Sequence, residues 1–179
     1  ANNVAVGALT LDAATTANGN SAVGYAALGA ATTGNYNVAM GYQALMTNVD
    51  GDRNVAIGSG ALQTLDPASN VDMYNVAVGH NAGLAVTTGT KNAFIGGESG
   101  QANTSASNNT AVGYGSLGAN TTGANNVAVG AYALDAATTA DNNTVVGKGA
   151  LSAEATGSRN TAVGLEAGAV QNGGTDNTW

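Results

Sequence analysis

Short runs of small and branched apolar side chains recur along the chain, each led by an asparagine and closed by a glycine, beginning with Asn3-Val4-Ala5-Val6-Gly7. The closing glycines are Gly7, Gly24, Gly41, Gly58, Gly79, Gly96, Gly113, Gly130, Gly147 and Gly164, spaced by 17 residues except from Gly58 to Gly79, where the interval is 21. Self-similarity at a fixed short period marks a stacked repeat rather than a globular domain. The three residues before each glycine alternate with period two and are often β-branched, which predicts a short strand. One strand face carries pairs such as Val4 and Val6, and the other carries Asn3, Ala5 and Gly7. Size assigns the valine face to the coil interior. The small face then suits close approach of a second backbone layer.

Columns counted from the glycine are nearly invariant. Asn stands four residues before it in all ten copies, among them Asn20, Asn37, Asn54, Asn75, Asn92, Asn109, Asn126 and Asn143. Leu stands four residues after it in seven copies, replaced by Gly83, Gly100 and Gly168 in the other three. A polar turn follows, often two threonines, as in Thr15-Thr16 and Thr138-Thr139. Stacked Asn side chains can hydrogen-bond along a column of parallel strands, so the Asn column is expected to be a structural ladder.

These columns predict an all-β fold: a parallel β-solenoid, or β-roll, of ten 17-residue coils forming one repeat domain over residues 1–179. At roughly 4.8 Å per coil the rod would be roughly 50 Å long. Ordering one coil costs roughly 1 to 2 kcal/mol per residue, so no coil is stable alone. Both strand faces look committed, and one narrow coil buries only one. A parallel homotrimer meeting along the small Ala/Gly face is therefore expected. The extra four residues fall within 63–74, a segment that holds the single proline, Pro67, and is expected to bulge from the coil. The chain opens without Met and ends on Asn177-Thr178-Trp179, the start of another unit, so it reads as a segment of a longer polypeptide.

Composition narrows the function. A net charge of −7 with only Arg53, Lys91, Lys148 and Arg159 as bases argues against nucleic acid and anionic lipid as partners. Without cysteine there is neither a disulfide framework nor a thiolate metal site, and no apolar run is long enough for a membrane-spanning helix.

The stretches Asn37-Val38-Ala39-Met40-Gly41-Tyr42-Gln43-Ala44-Leu45 and Asn109-Thr110-Ala111-Val112-Gly113-Tyr114, continuing to Asn120-Thr121-Thr122-Gly123, resemble the head repeats of trimeric autotransporter adhesins. They resemble still more the Asn-Thr-Ala-Ile-Gly-Tyr-Gln-Ala-Leu repeats of phage tail fibres and large bacterial surface proteins. The resemblance covers nearly the whole chain, although adhesin-head coils are typically shorter than 17 residues. It implies a trimerising β-roll that serves as an attachment rod, extracellular, on a virion fibre or a bacterial cell surface.

Catalytic chemistry finds little footing. His80 is the single histidine, and no Ser-His-Asp set or phosphate loop can be assembled from the spacings. The eleven carboxylates are scattered over many coils. Asp50-Gly51-Asp52 resembles an oxygen-ligand turn but lacks the further acids of a calcium loop, so neither a metal nor another cofactor is expected. The expected role is a non-enzymatic adhesive rod. Candidate ligand contacts are Tyr25, Tyr42, Tyr114 and Tyr132 beside the glycine column, with Asp66 and Tyr74 in or next to the insertion. The expected partners are further copies of the chain and a host-surface glycan or protein. Two other readings are a purely structural self-assembling filament and an ice-binding solenoid. The adjacent placement of the threonines tells against ice binding, since neighbours on a strand point to opposite faces.

Overall fold

The computed structural model describes residues 2–179. They form an all-β solenoid without helices among the described residues. The chain enters ten parallel rungs: β1 (Val4–Val6), β2 (Ser21–Val23), β3 (Val38–Met40), β5 (Val55–Ile57), β7 (Val76–Val78), β8 (Ala93–Ile95), β9 (Thr110–Val112), β10 (Val127–Val129), β11 (Thr144–Val146) and β12 (Thr161–Val163). These pair in that order into one ten-stranded sheet, so the chain makes about nine full turns from first rung to last. Two further short strands, β4 (Gly51–Asp52) and β6 (Val71–Asp72), pair in parallel where the insertion leaves the coil. The register never slips: Ala111 faces Ala128, and Ala128 faces Val145, each one unit away.

The two strand faces are the reverse of the expectation from size. The middle residue of the rung points inward and is 0% exposed in Ala22, Ala39, Ala56, Ala77, Ala111, Ala128 and Ala162. The outer positions point to water: Val6, Val23, Met40, Ile57, Ile95, Val146 and Val163 are 37% to 62% exposed. The Ala/Gly face therefore fills the coil, and it does not serve as the seam between chains. The coil is too narrow for two layers of branched side chains, so small residues line the rung and the bulk comes from the opposite wall. That bulk is the Leu column, fully buried at Leu28, Leu45, Leu62, Leu117, Leu134 and Leu151.

Each of these leucines sits in the left-handed backbone region, with φ from 47° to 53° across the column. A left-handed non-glycine residue costs roughly 1 to 2 kcal/mol. Burying a Leu side chain returns roughly 1.5 to 3 kcal/mol, so the tight corner is tolerated because it aims the side chain inward. Where the column holds Gly83 and Gly100, the rung between them carries Phe94 instead of Ala. A methyl on Gly83 would lie 2.8 Å from the Phe94 ring, and Gly100 is overlain by the same ring. Trp179 overlies Gly168 in the same manner, 3.0 Å from where a methyl would stand. The glycine that closes each unit has a different reason. At Gly113 φ is 130°, and a side chain would collide with the Gly130 carbonyl oxygen at 2.7 Å.

The insertion is anchored as well as projecting. Leu65, Pro67 and Met73 are buried, while Ala68, Ser69, Asn70, Val71 and Asp72 are exposed. Asn70 Nδ2 reaches back to the Thr33 carbonyl (3.3 Å) and Asp52 Oδ1 (3.2 Å), so the arm lies against earlier coils.

Exchange of bulk between the two walls gives a direct test. Phe94→Ala leaves a cavity between two glycines and is expected to cost about 3 to 5 kcal/mol in chemical denaturation. Adding Gly83→Leu and Gly100→Leu restores the pattern of the other coils and is expected to recover most of that loss. Additive or worsening effects of the leucines would contradict this packing.

Candidate functional site

One continuous polar ladder and two interrupted ones run along the rod and account for many of its conspicuous side chains. In the first, the N–H of each column Asn donates to the Asn Oδ1 one coil earlier: Asn20 to Asn3 (2.9 Å), Asn37 to Asn20 (2.8 Å), Asn54 to Asn37 (2.8 Å), Asn75 to Asn54 (3.1 Å) and so on to Asn177. Asn92, Asn109, Asn126 and Asn143 continue the series at 2.9 to 3.0 Å. Each Nδ2 also reaches across the coil to a turn carbonyl, as from Asn109 to Gly123 (2.9 Å). Asn54 is the exception. The insertion occupies its turn, and its Nδ2 donates to the Asp52 carbonyl instead.

A second ladder runs in the opposite sense two residues before the Asn column. There a side chain accepts the N–H of the preceding coil: Asn35 from Asn18, Asp52 from Asn35, Ser107 from Thr90, Asp141 from Ala124. The third ladder is made by five threonines of one column, eight residues after the closing glycine. Thr15, Thr87, Thr104, Thr121 and Thr138 each donate their hydroxyl to a carbonyl one coil further on, at 2.9 to 3.2 Å. These hydroxyls are engaged with the backbone and do not form a free flat array.

Glu154 is the one fully buried acid in the core. Its Oε1 collects the N–H groups of Thr156 (3.2 Å), Gly157 (2.6 Å) and Gly173 (2.7 Å), acting where other coils use a backbone carbonyl. Its Oε2, like the Oδ1 of Asp135, is buried without a hydrogen-bond partner among the described residues; for Asp135 the consequence is a shifted carboxyl. Burial raises its carboxyl above the ordinary value of 3.8, outweighing the N–H groups of its own residue and of Ala136. Arg159 and Asp176 form an exposed bidentate pair at 2.7 and 2.9 Å. Their hydrogen bond lowers the Asp176 carboxyl and raises the guanidinium.

The six tyrosines gather in three groups. Tyr25 and Tyr42 stack with centroids 5.4 Å apart and planes 13° from parallel. Tyr114 and Tyr132 meet edge to face, also at 5.4 Å. Tyr114 Oη donates to Glu98 Oε2 at 2.8 Å, which raises the Tyr114 hydroxyl above 10.0, chiefly through that bond. The third group was hidden in the sequence because it mixes residue types. Arg53 lies 5.4 Å from the Tyr36 ring centre and 5.9 Å from that of Tyr74, pairs with Asp72, and Tyr74 Oη donates to Asp72 at 3.0 Å. Of the residues singled out in the insertion region, Tyr74 belongs to this group. Asp66 does not, since its Oδ1 accepts the Val49 N–H at 3.2 Å. Tyr36, Tyr114 and Tyr132 each lie over a glycine one coil earlier, Gly19, Gly97 and Gly115. A glycine 17 residues before a tyrosine was the available signal for that packing.

A shallow recess of about 310 Å³ lies among Leu9, Asp12, Ala26, Gly29, Ala30, Met46 and Thr47. No group of three or more His, Asp or Glu side chains suited to a metal occurs among the described residues. The most extensive candidate surface is the outward rung face, where one apolar residue per rung stands in line from Val6 to Val163. At three residues wide and nine steps tall the face spans about 400 Å², with Ser21, Thr110, Thr144 and Thr161 set among its apolar side chains.

The raised carboxyl of Asp135 sets the sign of a pH effect. A group whose folded value exceeds its unfolded value favours the fold only while protonated, and this support is lost as pH rises through the folded value. Asp135→Asn is expected to raise the melting temperature at pH 7 and to leave it unchanged well below pH 3.8. An equal or lower melting temperature at pH 7 would contradict the burial.

Comparison of the chain with known protein families, with characterised proteins and with solved structures gives no match.

Proposed function

We propose that the chain is a non-catalytic, elongated rod of an extracellular fibre, assembled as a parallel homotrimer and serving attachment. A phage tail fibre or a bacterial surface adhesin is the setting implied by its repeats. The observation that carries this reading is the line of outward-facing Val, Ile and Met on the ten rungs, exposed on seven of them and half-buried at Val78, Val112 and Val129. A lone rod would leave this stripe in water, whereas copies meeting along it remove it at roughly 25 cal/mol per Å². The seam thus lies on the valine face. A stiff rod repeats whatever weak contacts it makes, and avidity across chains makes attachment firm without a deep pocket. The half-exposed tyrosine pairs Tyr25/Tyr42 and Tyr114/Tyr132 suit a host-surface glycan or protein.

A structural filament that only spaces other domains shares the same assembly and differs in lacking any surface ligand. Ice binding is the reading for a monomer. The outward face carries Thr110, Thr144 and Thr161 among valines, so an uncovered face would present methyl and hydroxyl groups to water.

Light scattering after size-exclusion chromatography tests the assembly. The expected mass is three times 17.2 kDa. Ile95→Glu with Val129→Glu is expected to reduce it to 17.2 kDa with the far-ultraviolet β spectrum intact, because both side chains stand outside the coil. A monomeric wild-type protein would overturn the trimer and direct the next measurement to thermal hysteresis.

A further inference from the structure

The apolar stripe is flanked by two columns of exposed and half-exposed residues. The leading column stands one residue before each Asn, and the trailing column stands one residue after each closing Gly, so every rung has one of each. On the leading edge, Tyr36, Arg53 and Tyr74 form a continuous stack over three successive coils. The guanidinium is held between the rings and neutralised by Asp72, which also accepts the Tyr74 hydroxyl. Tyr36 and Tyr74 remain 56% and 48% exposed despite this. On the trailing edge of the first and last of these rungs stand Tyr42, which is 54% exposed, and the exposed His80.

On the rungs directly before and after this zone, bulk on one edge meets a glycine on the other. Gly19 shares its rung with Tyr25, and Lys91 shares its rung with Gly97. No rung carries two charges of one sign across its edges: Arg159 shares a rung with Leu165, and Lys148 with Asn142. The stripe alone spans about 400 Å², short of the roughly 800 Å² per partner of a stable specific interface. The edges must therefore join the contact if copies associate firmly.

We propose that, in the oligomer, the Tyr36–Arg53–Tyr74 stack of one chain packs against Tyr42 and His80 of a neighbouring copy. This seals the rim of the apolar seam and fixes the copies parallel and at equal height. It rests on the homo-oligomeric reading and adds to it a named, incomplete half-site on each edge. Arg53 is already paired with Asp72, so the ring faces and edges can be covered without leaving an unpaired charge in the contact. The insertion gains a role here: its strand β6 delivers Asp72, which holds both Arg53 and the Tyr74 hydroxyl. The other coils have no such arm, so one height on the rod is singled out and the neighbours cannot slide by a rung without losing the match.

The chain has no cysteine, which makes cross-linking specific. Tyr36→Cys with Tyr42→Cys, treated with a short bis-maleimide, is expected to give covalently closed trimers on a denaturing gel. Tyr36→Cys with Tyr114→Cys, whose positions stand four rungs apart at roughly 19 Å in height, is expected to give none. Tyr36→Ala with Tyr74→Ala, a variant that spares the coil interior, is expected to raise the dissociation concentration at least tenfold while the wild type stays oligomeric. With an oligomeric wild type, closed trimers from the Tyr36→Cys/Tyr114→Cys variant alone, or from neither variant, overturn this rim while leaving the oligomer standing. A monomeric wild type overturns both.

Discussion

An asparagine whose side chain accepts the N–H of the asparagine one coil further on holds each pair of coils at one height. Everything else in the rod depends on that hold. The side chain is buried, so leaving its amide unpaired would cost roughly 1 to 3 kcal/mol. Every coil must therefore bring its turn back to the same place, whatever it does between. The insertion obeys this constraint. It leaves after Leu65, projects five residues, and returns so that the Asn75 N–H still meets Asn54 Oδ1 at 3.1 Å. Length is free between the asparagines and fixed at them.

The period of the chain made the solenoid legible, because a 17-residue repeat of a glycine-closed rung has few other solutions. The inside and outside of the rung were not legible from size alone. Placing the larger side chain inward is sound for a thick core. In a coil this narrow, however, the Leu column from the opposite wall already fills the space, and only Ala fits beneath it. The signal was in the exceptions. Phe94 replaces Ala only where Gly83 and Gly100 replace Leu, and such an exchange of bulk makes sense only if both positions share one interior.

Much the same division holds for the surface. Tyr25, Tyr42 and Tyr114 stood out because they occupy one column. Tyr36 and Arg53 did not, since their column changes residue type at nearly every coil and the interaction lies between unlike groups. The acids were legible as scattered. Their individual duties, such as Asp52 accepting the Asn35 N–H or Glu154 standing in for a carbonyl, depend on which turn each meets one coil away. With the acids, amides and threonine hydroxyls largely committed to holding coils together, the surface that remains is the apolar rung face and its rims. The physical case for an assembling rod follows from that remainder.

The dependence of the stack on the asparagine column is tested most directly by amide hydrogen exchange. The backbone amides of Asn75, Asn92, Asn109 and Asn126 are bonded to buried side-chain oxygens in the middle of the rod. They are expected to exchange only through cooperative opening, as slowly as the rung amides beside them. Exchange of these four at the rate of exposed turn amides, while the rungs stay protected, would contradict the ladder as the interaction that holds the coils in register.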